Sequence, residues 1–196
     1  MGKVAAGQGA LDILESLQAN PVIPAVRGPE EDFDLALSGD HPAVFVLGGD
    51  VFKLTEKLEG RTRRPPVVVN VDLVGGVAGD AVGVAFLARH VEGIISTNRH
   101  VIELGNVAGL VTIQRLFALD LSSIERGIRL VKRAKPKYVE VLPALAYPHM
   151  ASRHPEIHRW HVIAGGLLRS EEEVSFVLEA GATGVCTSHR PLWKGA

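Results

Sequence analysis

The sequence lacks the features that define several common classes of protein. It has one cysteine, Cys186, which excludes an intramolecular disulfide and a cysteine-based zinc finger. Aromatic residues make up only 5% of the chain, and no apolar run reaches the roughly 18 residues that a membrane span needs. A lone thiol fits a reducing compartment, so we expect a cytoplasmic protein that makes no membrane contact.

Strong net charge is also missing. The 21 lysine and arginine residues nearly balance 22 aspartate and glutamate residues, which excludes a globally basic nucleic-acid binder but not a local basic face. With 46% hydrophobic and 22% charged residues, the composition is that of an ordinary globular protein. We predict one domain over residues 1–196, in which residues 1–20 form an N-terminal tail and an extra helix.

Eight short runs rich in valine and isoleucine alternate with segments of helical spacing. Apolar residues at nearly every position are typical of parallel strands buried on both faces. The predicted strands are 22–26, 43–47, 67–72, 93–96, 110–114, 138–142, 161–164 and 184–187. This alternation predicts a compact TIM-like (β/α) barrel, with an open flavodoxin-like sheet as the alternative. Because such barrels typically need about 250 residues, some helices must be shortened.

Gly165 and Gly166 follow the seventh predicted strand, and Thr187 and Ser188 end the eighth. In TIM barrels the loops after these two strands often hold a phosphate group. Glycine lets backbone N–H groups approach an anion without an intervening Cβ, and the two hydroxyls add further donors. The pattern predicts a phosphate site. The alternative is that the two glycines only form a tight turn from strand to helix.

Polar side chains end five of the other strands, at the edge where parallel α/β folds bind ligands. They are Arg27, Asp72, Ser96, Thr97, Gln114, Arg115 and Glu140. We expect the acids and the amide to meet ligand hydroxyls, with an arginine balancing the buried charge. The alternative is an internal salt-bridge network that only closes the barrel. No residue set specific for catalysis, for a metal or for a cofactor is recognisable.

One segment is distinctly basic. Arg126, Arg129 and Arg133 share a face of a predicted helix, and Lys132, Lys135 and Lys137 lie close by in the sequence. This face predicts contact with the phosphate backbone of RNA. A merely solvated helix face is the alternative, because no aromatic residues are interleaved as in a stacking platform.

Seven motifs, taken in order, resemble one known family. They are IPAVR at 23–27, NVDLVGG at 70–76, GIIST at 93–97, IQRLFALD at 113–120, YVEVLP at 138–143, AGGL at 164–167 and AGAT at 180–183. The ordered set, from about residue 21 to residue 193, resembles the bacterial glycerol-3-phosphate-responsive antiterminator family, which regulates glycerol uptake operons. Two departures stand out, since Asn70 replaces an expected histidine and Asn98-Arg99 replaces a basic residue directly after Ser-Thr.

The resemblance implies a barrel that has become a sensor rather than an enzyme. Such a protein binds glycerol 3-phosphate and then an mRNA leader, where it prevents a terminator hairpin from forming. The resemblance leaves a homo-oligomer open. Two rival functions remain: a phosphate-binding barrel enzyme of the isomerase or aldolase type that uses Asp72 and Glu140 as acid and base, and a sensor that acts through a protein partner.

Overall fold

The computed structural model describes residues 8–30 and 32–193, so residues 1–7 of the predicted N-terminal tail and helix lie outside the described residues. Eight strands each pair in parallel with the next strand in the chain, and the eighth pairs with the first. They are β1 (Val22–Val26), β2 (Val44–Val46), β3 (Val67–Asn70), β4 (Gly93–Ser96), β5 (Val111–Phe117), β6 (Tyr138–Leu142), β7 (His161–Gly165) and β8 (Gly184–Thr187). The predicted closed barrel is confirmed, and the open-sheet alternative is wrong.

Helices surround the barrel, and several have only two turns, as the short chain predicts. They are α1 (Gln8–Ala19), α2 (Phe33–Ser38), α3 (Val51–Leu58), α4 (Ala81–Leu87), α5 (Arg99–Ala108), α6 (Leu121–Ala134), α7 (Tyr147–Arg153) and α8 (Glu171–Glu179). Short 3₁₀ turns occur at Ala144–Ala146, Pro155–Arg159 and Arg190–Leu192. No helix in the described part of the chain is long and apolar enough to cross a bilayer.

The apolar core has two layers because strand side chains alternate between two faces. The inner layer fills the barrel and includes Ile23, Phe45, Val68, Ile95 and Ile163. The outer layer lies between the strands and the helices. Every strand is therefore buried on both faces, which explains the almost continuous apolar runs in the sequence.

Side-chain caps fix where several helices begin. Asp50 accepts hydrogen bonds at the start of α3, and Asp80 does so at the start of α4. Ser170 and Glu173 form a capping box at the start of α8. These caps place the helix N-termini beside the carboxyl ends of the strands, which is the end of the barrel called the mouth below.

Some boundaries differ from the prediction. β5 continues to Phe117 because Leu116 is buried and Phe117 pairs with Leu142 of β6. α2 begins only at Phe33, and Pro29 lies outside it. The proline-rich segment after β6 forms α7 between two 3₁₀ turns, an arrangement that its sequence does not reveal.

Candidate ligand site at the barrel mouth

The structure brings the predicted ligand residues to one end of the barrel. All eleven lie in the carboxyl-terminal half of a strand or within two residues after its end: Arg27, Asp72, Ser96, Thr97, Gln114, Arg115, Glu140, Gly165, Gly166, Thr187 and Ser188. Their side chains are not equivalent, however. Some face the interior of the barrel, some are exposed at the rim, and others alternate to the side of the helices.

The loops after β7 and β8 lie side by side, since Gly165 pairs with Cys186. A Cβ on Gly165 would lie 2.4 Å from Cys186 Sγ, so only glycine fits there. Gly166 has a φ of 80°, and Leu167, which is exposed, has a φ of 64° in the left-handed region that disfavours leucine. Within the described residues, the backbone N–H groups of Leu167 and Ser188 donate to no acceptor.

Thr187 connects these two loops. Its hydroxyl donates to the Leu168 carbonyl at 3.1 Å and accepts from the His189 N–H at 3.0 Å. Its own carbonyl accepts from Trp193 Nε1 at 2.9 Å. Thr187 is buried and Ser188 is exposed. The hydroxyl of Thr187 thus positions the loops, and Ser188 is the residue of the pair that faces solvent.

A cavity of about 400 Å³ opens at the mouth beside β1, β2 and β8. Its polar lining includes Arg27, Ser188, Glu30 and Asp32, and Asp32 forms an ion pair with Arg190. Arg27 is exposed and forms no ion pair with any described residue. The cavity therefore combines a cation that has no ion-pair partner among the described residues, a backbone donor, and two carboxylates that pair with Lys53 and Arg190.

Two glycines that are not among the predicted ligand residues also line this cavity. Gly28 and Gly49 are part of its wall, and a Cβ on Gly49 would lie 2.9 Å from the Gly28 Cα. Gly49 also has a φ of 87°. The sequence does contain a pattern that points to them: Gly48-Gly49 at the end of β2 repeats the Gly-Gly pair at the end of β7.

Glu140 and Arg115 form a buried ion pair on the mouth side of the barrel interior. Arg115 Nε donates to Glu140 Oε2 at 2.6 Å, and the two side chains are 8% and 1% exposed. Cys186 Sγ donates to Glu140 Oε1 at 3.2 Å. Burial, and then the neighbouring Glu140 carboxylate, raise the pKa of the Cys186 thiol well above its ordinary value. The thiol is therefore neutral and unreactive in the folded protein.

Asp72 is held by hydroxyl and backbone donors rather than by an arginine. It accepts from Ser96 Oγ at 2.5 Å, from the Thr97 N–H at 2.6 Å and from Thr97 Oγ1 at 2.8 Å. Asn70 Oδ1 accepts from the Asp72 N–H at 3.0 Å, while the buried Asn70 Nδ2 has no partner among the described residues. A carboxylate has about four acceptor positions, so Asp72 retains capacity for one more donor.

Gln114 does not face the interior of the barrel. Its neighbour Ile113 belongs to the inner core layer, so the Gln114 side chain faces the helices. Gln114 Nε2 donates to the carbonyls of Ser96 and Thr97, at 3.1 and 2.8 Å. Gln114 thus secures the end of β4, which carries two of the groups that hold Asp72.

The predicted RNA-binding arginines lie on the outer ring of helices. Arg126, Arg129 and Arg133 are exposed on α6. Arg129 lies 3.7 Å from Glu125, whereas the other two form no ion pair with described residues.

His154 and His158 are four residues apart, a spacing found in helical metal sites. However, no three histidine, cysteine or acidic side chains of the described residues group closely enough to hold a metal ion.

A closed barrel of eight parallel strands surrounded by helices defines a TIM barrel. Within that class, the chain belongs to the family of glycerol-3-phosphate responsive antiterminators, whose sequence profile matches residues 22–193. The resemblance noted in the sequence is thereby confirmed.

Two solved structures share both fold and sequence with this chain. The glycerol uptake operon antiterminator regulatory protein of Listeria monocytogenes str. 4b F2365 is 30% identical, with a TM-score of 0.80 over 90% of this chain and 96% of that one. A glycerol uptake operon antiterminator-related protein of Thermotoga maritima MSB8 is 30% identical, with a TM-score of 0.76 over 88% of this chain and 97% of that one.

A further relative is similar in sequence. The uncharacterized protein YgcP of Escherichia coli (strain K12) is 27% identical over 93% of this chain and 96% of its own length.

Proposed function

We propose that this protein binds glycerol 3-phosphate at the barrel mouth and, with this effector bound, binds the leader of a glycerol operon mRNA as a transcription antiterminator in the cytoplasm. Membership in the antiterminator family is the observation that carries the proposal. The mouth supports it independently, because it offers donors suited to a phosphate group and acceptors suited to hydroxyl groups.

The phosphate would lie against the loops after β7 and β8. The N–H groups of Leu167 and Ser188 have no acceptor among the described residues, and Gly166 leaves the approach to them open. Arg27, next to Ser188 in the same cavity, supplies a positive charge. Hydrogen bonds to a charged group contribute roughly 1.5–3 kcal/mol each, so a few such donors are enough for a specific anion site.

The glycerol end would meet acceptors across the mouth. Asp72 has capacity for one further donor, and a ligand hydroxyl is a suitable one. Glu140 already accepts from Arg115 and Cys186 and is almost fully buried. Since both carboxylates are engaged with protein donors, the site suits recognition better than proton transfer, and we propose that the protein is not an enzyme.

A thermal-unfolding comparison tests the effector site. Glycerol 3-phosphate at about 100 times its dissociation constant should add roughly 2.7 kcal/mol of stability, whereas glycerol at the same concentration should add little. Gly166→Val should abolish the shift, because valine is strained at a φ of 80° and its methyl groups enter the path of the anion. A folded Gly166→Val protein with an unchanged shift would reject this site.

RNA binding is measured separately with a transcript of a glycerol operon leader, with and without glycerol 3-phosphate. Effector-dependent binding is expected. A stability shift without any leader binding at low salt would favour a sensor that acts through a protein partner. Turnover of triose or pentose phosphates would favour the enzyme alternative instead.

A further inference from the structure

The charges of this chain are segregated along the sequence. Residues 121–161, called the basic sector below, hold eight of the 21 lysine and arginine residues but only three of the 22 acidic residues. The sector carries a net formal charge of +5, and the rest of the chain carries −6. The near-zero charge of the whole molecule therefore conceals one strongly positive region.

The acids inside the sector leave most of its cations uncompensated. Glu140 is buried against Arg115, so it does not contribute to the surface. Glu125 and Glu156 lie 3.7 and 3.9 Å from Arg129 and Lys132. The remaining six cations are exposed and form no ion pair with described residues: Arg126, Arg133, Lys135, Lys137, Arg153 and Arg159.

The fold joins these six cations into one surface. Tyr138 pairs with His161, so β6 and β7 start side by side, and Lys137 and Arg159 come just before these starts. Lys132 of α6 contacts Glu156 of the 155–159 turn, which ties the helix to the segment that carries Arg153 and Arg159. The surface extends along α6 and across the amino-terminal ends of β6 and β7, opposite the mouth.

The chemistry of this surface matches a polyanion rather than an apolar partner. Leu121 and Leu145 are the large hydrophobic side chains that the sector exposes, and both lie near the mouth. The amino-terminal end thus has cations without the exposed apolar side chains that a membrane-surface helix inserts into lipid. A phosphodiester backbone, with one negative charge per nucleotide, suits such a surface.

We infer that the basic sector binds the phosphate backbone of RNA over α6 and the segment 153–159, with the carboxyl-terminal part of α6 and that segment at the end of the barrel opposite the effector. The inference rests on the proposed RNA binding and assigns it a surface broader than the arginine face of α6. It also places effector and RNA at opposite ends of the strands, about 16 Å apart for a five-residue strand.

The test measures binding of a 30-nucleotide oligouridylate as a function of salt, which isolates the sequence-independent backbone contacts. Six neutralised phosphates give a log–log slope of about −4, or about a 300-fold loss of affinity between 50 and 200 mM salt. The triple variant Lys137→Ala, Arg153→Ala, Arg159→Ala should bind more weakly and lose only about 20-fold over the same range. Lys53→Ala, Arg63→Ala, Arg89→Ala is the matched control, with one exposed lysine and two exposed arginines outside the sector.

The control should keep the wild-type slope, and all three proteins should keep the same stability shift with glycerol 3-phosphate, which checks their folding. Equal losses in both triple variants, or an unchanged slope in the first, would overturn the assignment of the surface. Wild-type binding to phosphatidylglycerol vesicles but not to oligouridylate would overturn it in favour of a membrane. If oligouridylate binding depends on the sector but the leader transcript is not recognised, the backbone surface stands and the antiterminator function fails.

Discussion

Glu140 of β6 connects the neighbouring strand β5 with β8, which is separated from β6 by β7. One carboxylate oxygen accepts from Arg115 of β5 at 2.6 Å, and the other accepts from Cys186 of β8 at 3.2 Å. The ion pair is almost completely buried, so each charge depends on the other for compensation. A buried pair of this kind is costly to break on one side and much less costly to replace as a whole.

Glu140→Ala is accordingly expected to lower the free energy of unfolding by about 3–5 kcal/mol, because it leaves the Arg115 guanidinium buried without a partner. The double variant Arg115→Met, Glu140→Leu should lose far less, since both charges are gone. Urea unfolding at pH 7 measures the difference.

The half-exposed pair Arg99–Glu103 provides the control for that experiment, with a similar separation of 2.7 Å. Glu103→Ala should cost less than about 1 kcal/mol, because solvent screens the charge that is left behind. If Glu140→Ala were as mild as Glu103→Ala, the buried pair would not compensate the Arg115 charge.

Gly165→Ala should destabilise the protein by about 1–3 kcal/mol, because its Cβ would lie 2.4 Å from Cys186 Sγ. The cost should fall by about 1 kcal/mol or more in a Cys186→Ala background, where the sulfur atom is removed. A double-mutant cycle of urea-unfolding energies measures this coupling. Equal costs in the two backgrounds would mean that the strain arises from another neighbour.

Tyr147 should make stability depend on pH in the alkaline range. Burial raises the pKa of Tyr147 to about 12, against about 10 in the unfolded chain. Its contribution to stability is fully present below pH 10 and is lost as the pH rises towards 12, since only the unfolded chain then ionises. At pH 11 the wild type should have lost about 1 kcal/mol more than Tyr147→Phe.

At pH 7 the Tyr147→Phe variant should be as stable as the wild type or slightly more stable. The Tyr147 hydroxyl is buried and makes no hydrogen bond with the described residues, so its removal leaves no partner unsatisfied. The unfolding energies of both proteins are measured in urea between pH 7 and 11. Parallel pH profiles would show that another group causes the alkaline loss.

Asp72→Ala should weaken the binding of glycerol 3-phosphate by about 10-fold or more while changing the binding of inorganic phosphate little, because hydrogen bonds to charged acceptors contribute about 1.5–3 kcal/mol. Thermal-shift titrations with both ligands give the comparison. Asp34→Ala, on the outer surface of α2, serves as the control. Equal losses for both ligands would assign Asp72 to the support of the fold alone.

Much of the fold could be predicted from local sequence, because parallel strands buried on both faces must be apolar throughout. For the candidate site, the sequence predicted only its position at the carboxyl ends of the strands and not the contacts within it. Gln114 faces the helices because Ile113, the residue before it, faces the barrel interior. Arg115 is the cation that pairs with Glu140 because the register of β5 and β6 sets these two residues side by side. Those relations arise from tertiary pairing, and no local pattern encodes the pairing of β5 with β6.

The proline-rich segment between β6 and β7 shows the same limit. Its prolines argue against a regular helix, yet α7 begins with a proline in its first turn, where the missing N–H costs nothing. Tyr147, Met150 and Ile157 are buried against the outer layer of the core. Tertiary packing therefore decides this segment where local propensity is ambiguous.

Pairing of β1 with β8, from Val22 with Val185 to Pro24 with Thr187, removes both edges that an open sheet would have. No strand can then be added by a partner through main-chain hydrogen bonds, so any macromolecular partner would have to bind through side chains and loops. The same closure makes the barrel indivisible. A fragment without β1 would expose the unpaired edges of β2 and β8, both lined by apolar side chains, and would be prone to aggregate rather than to survive as a smaller folded unit.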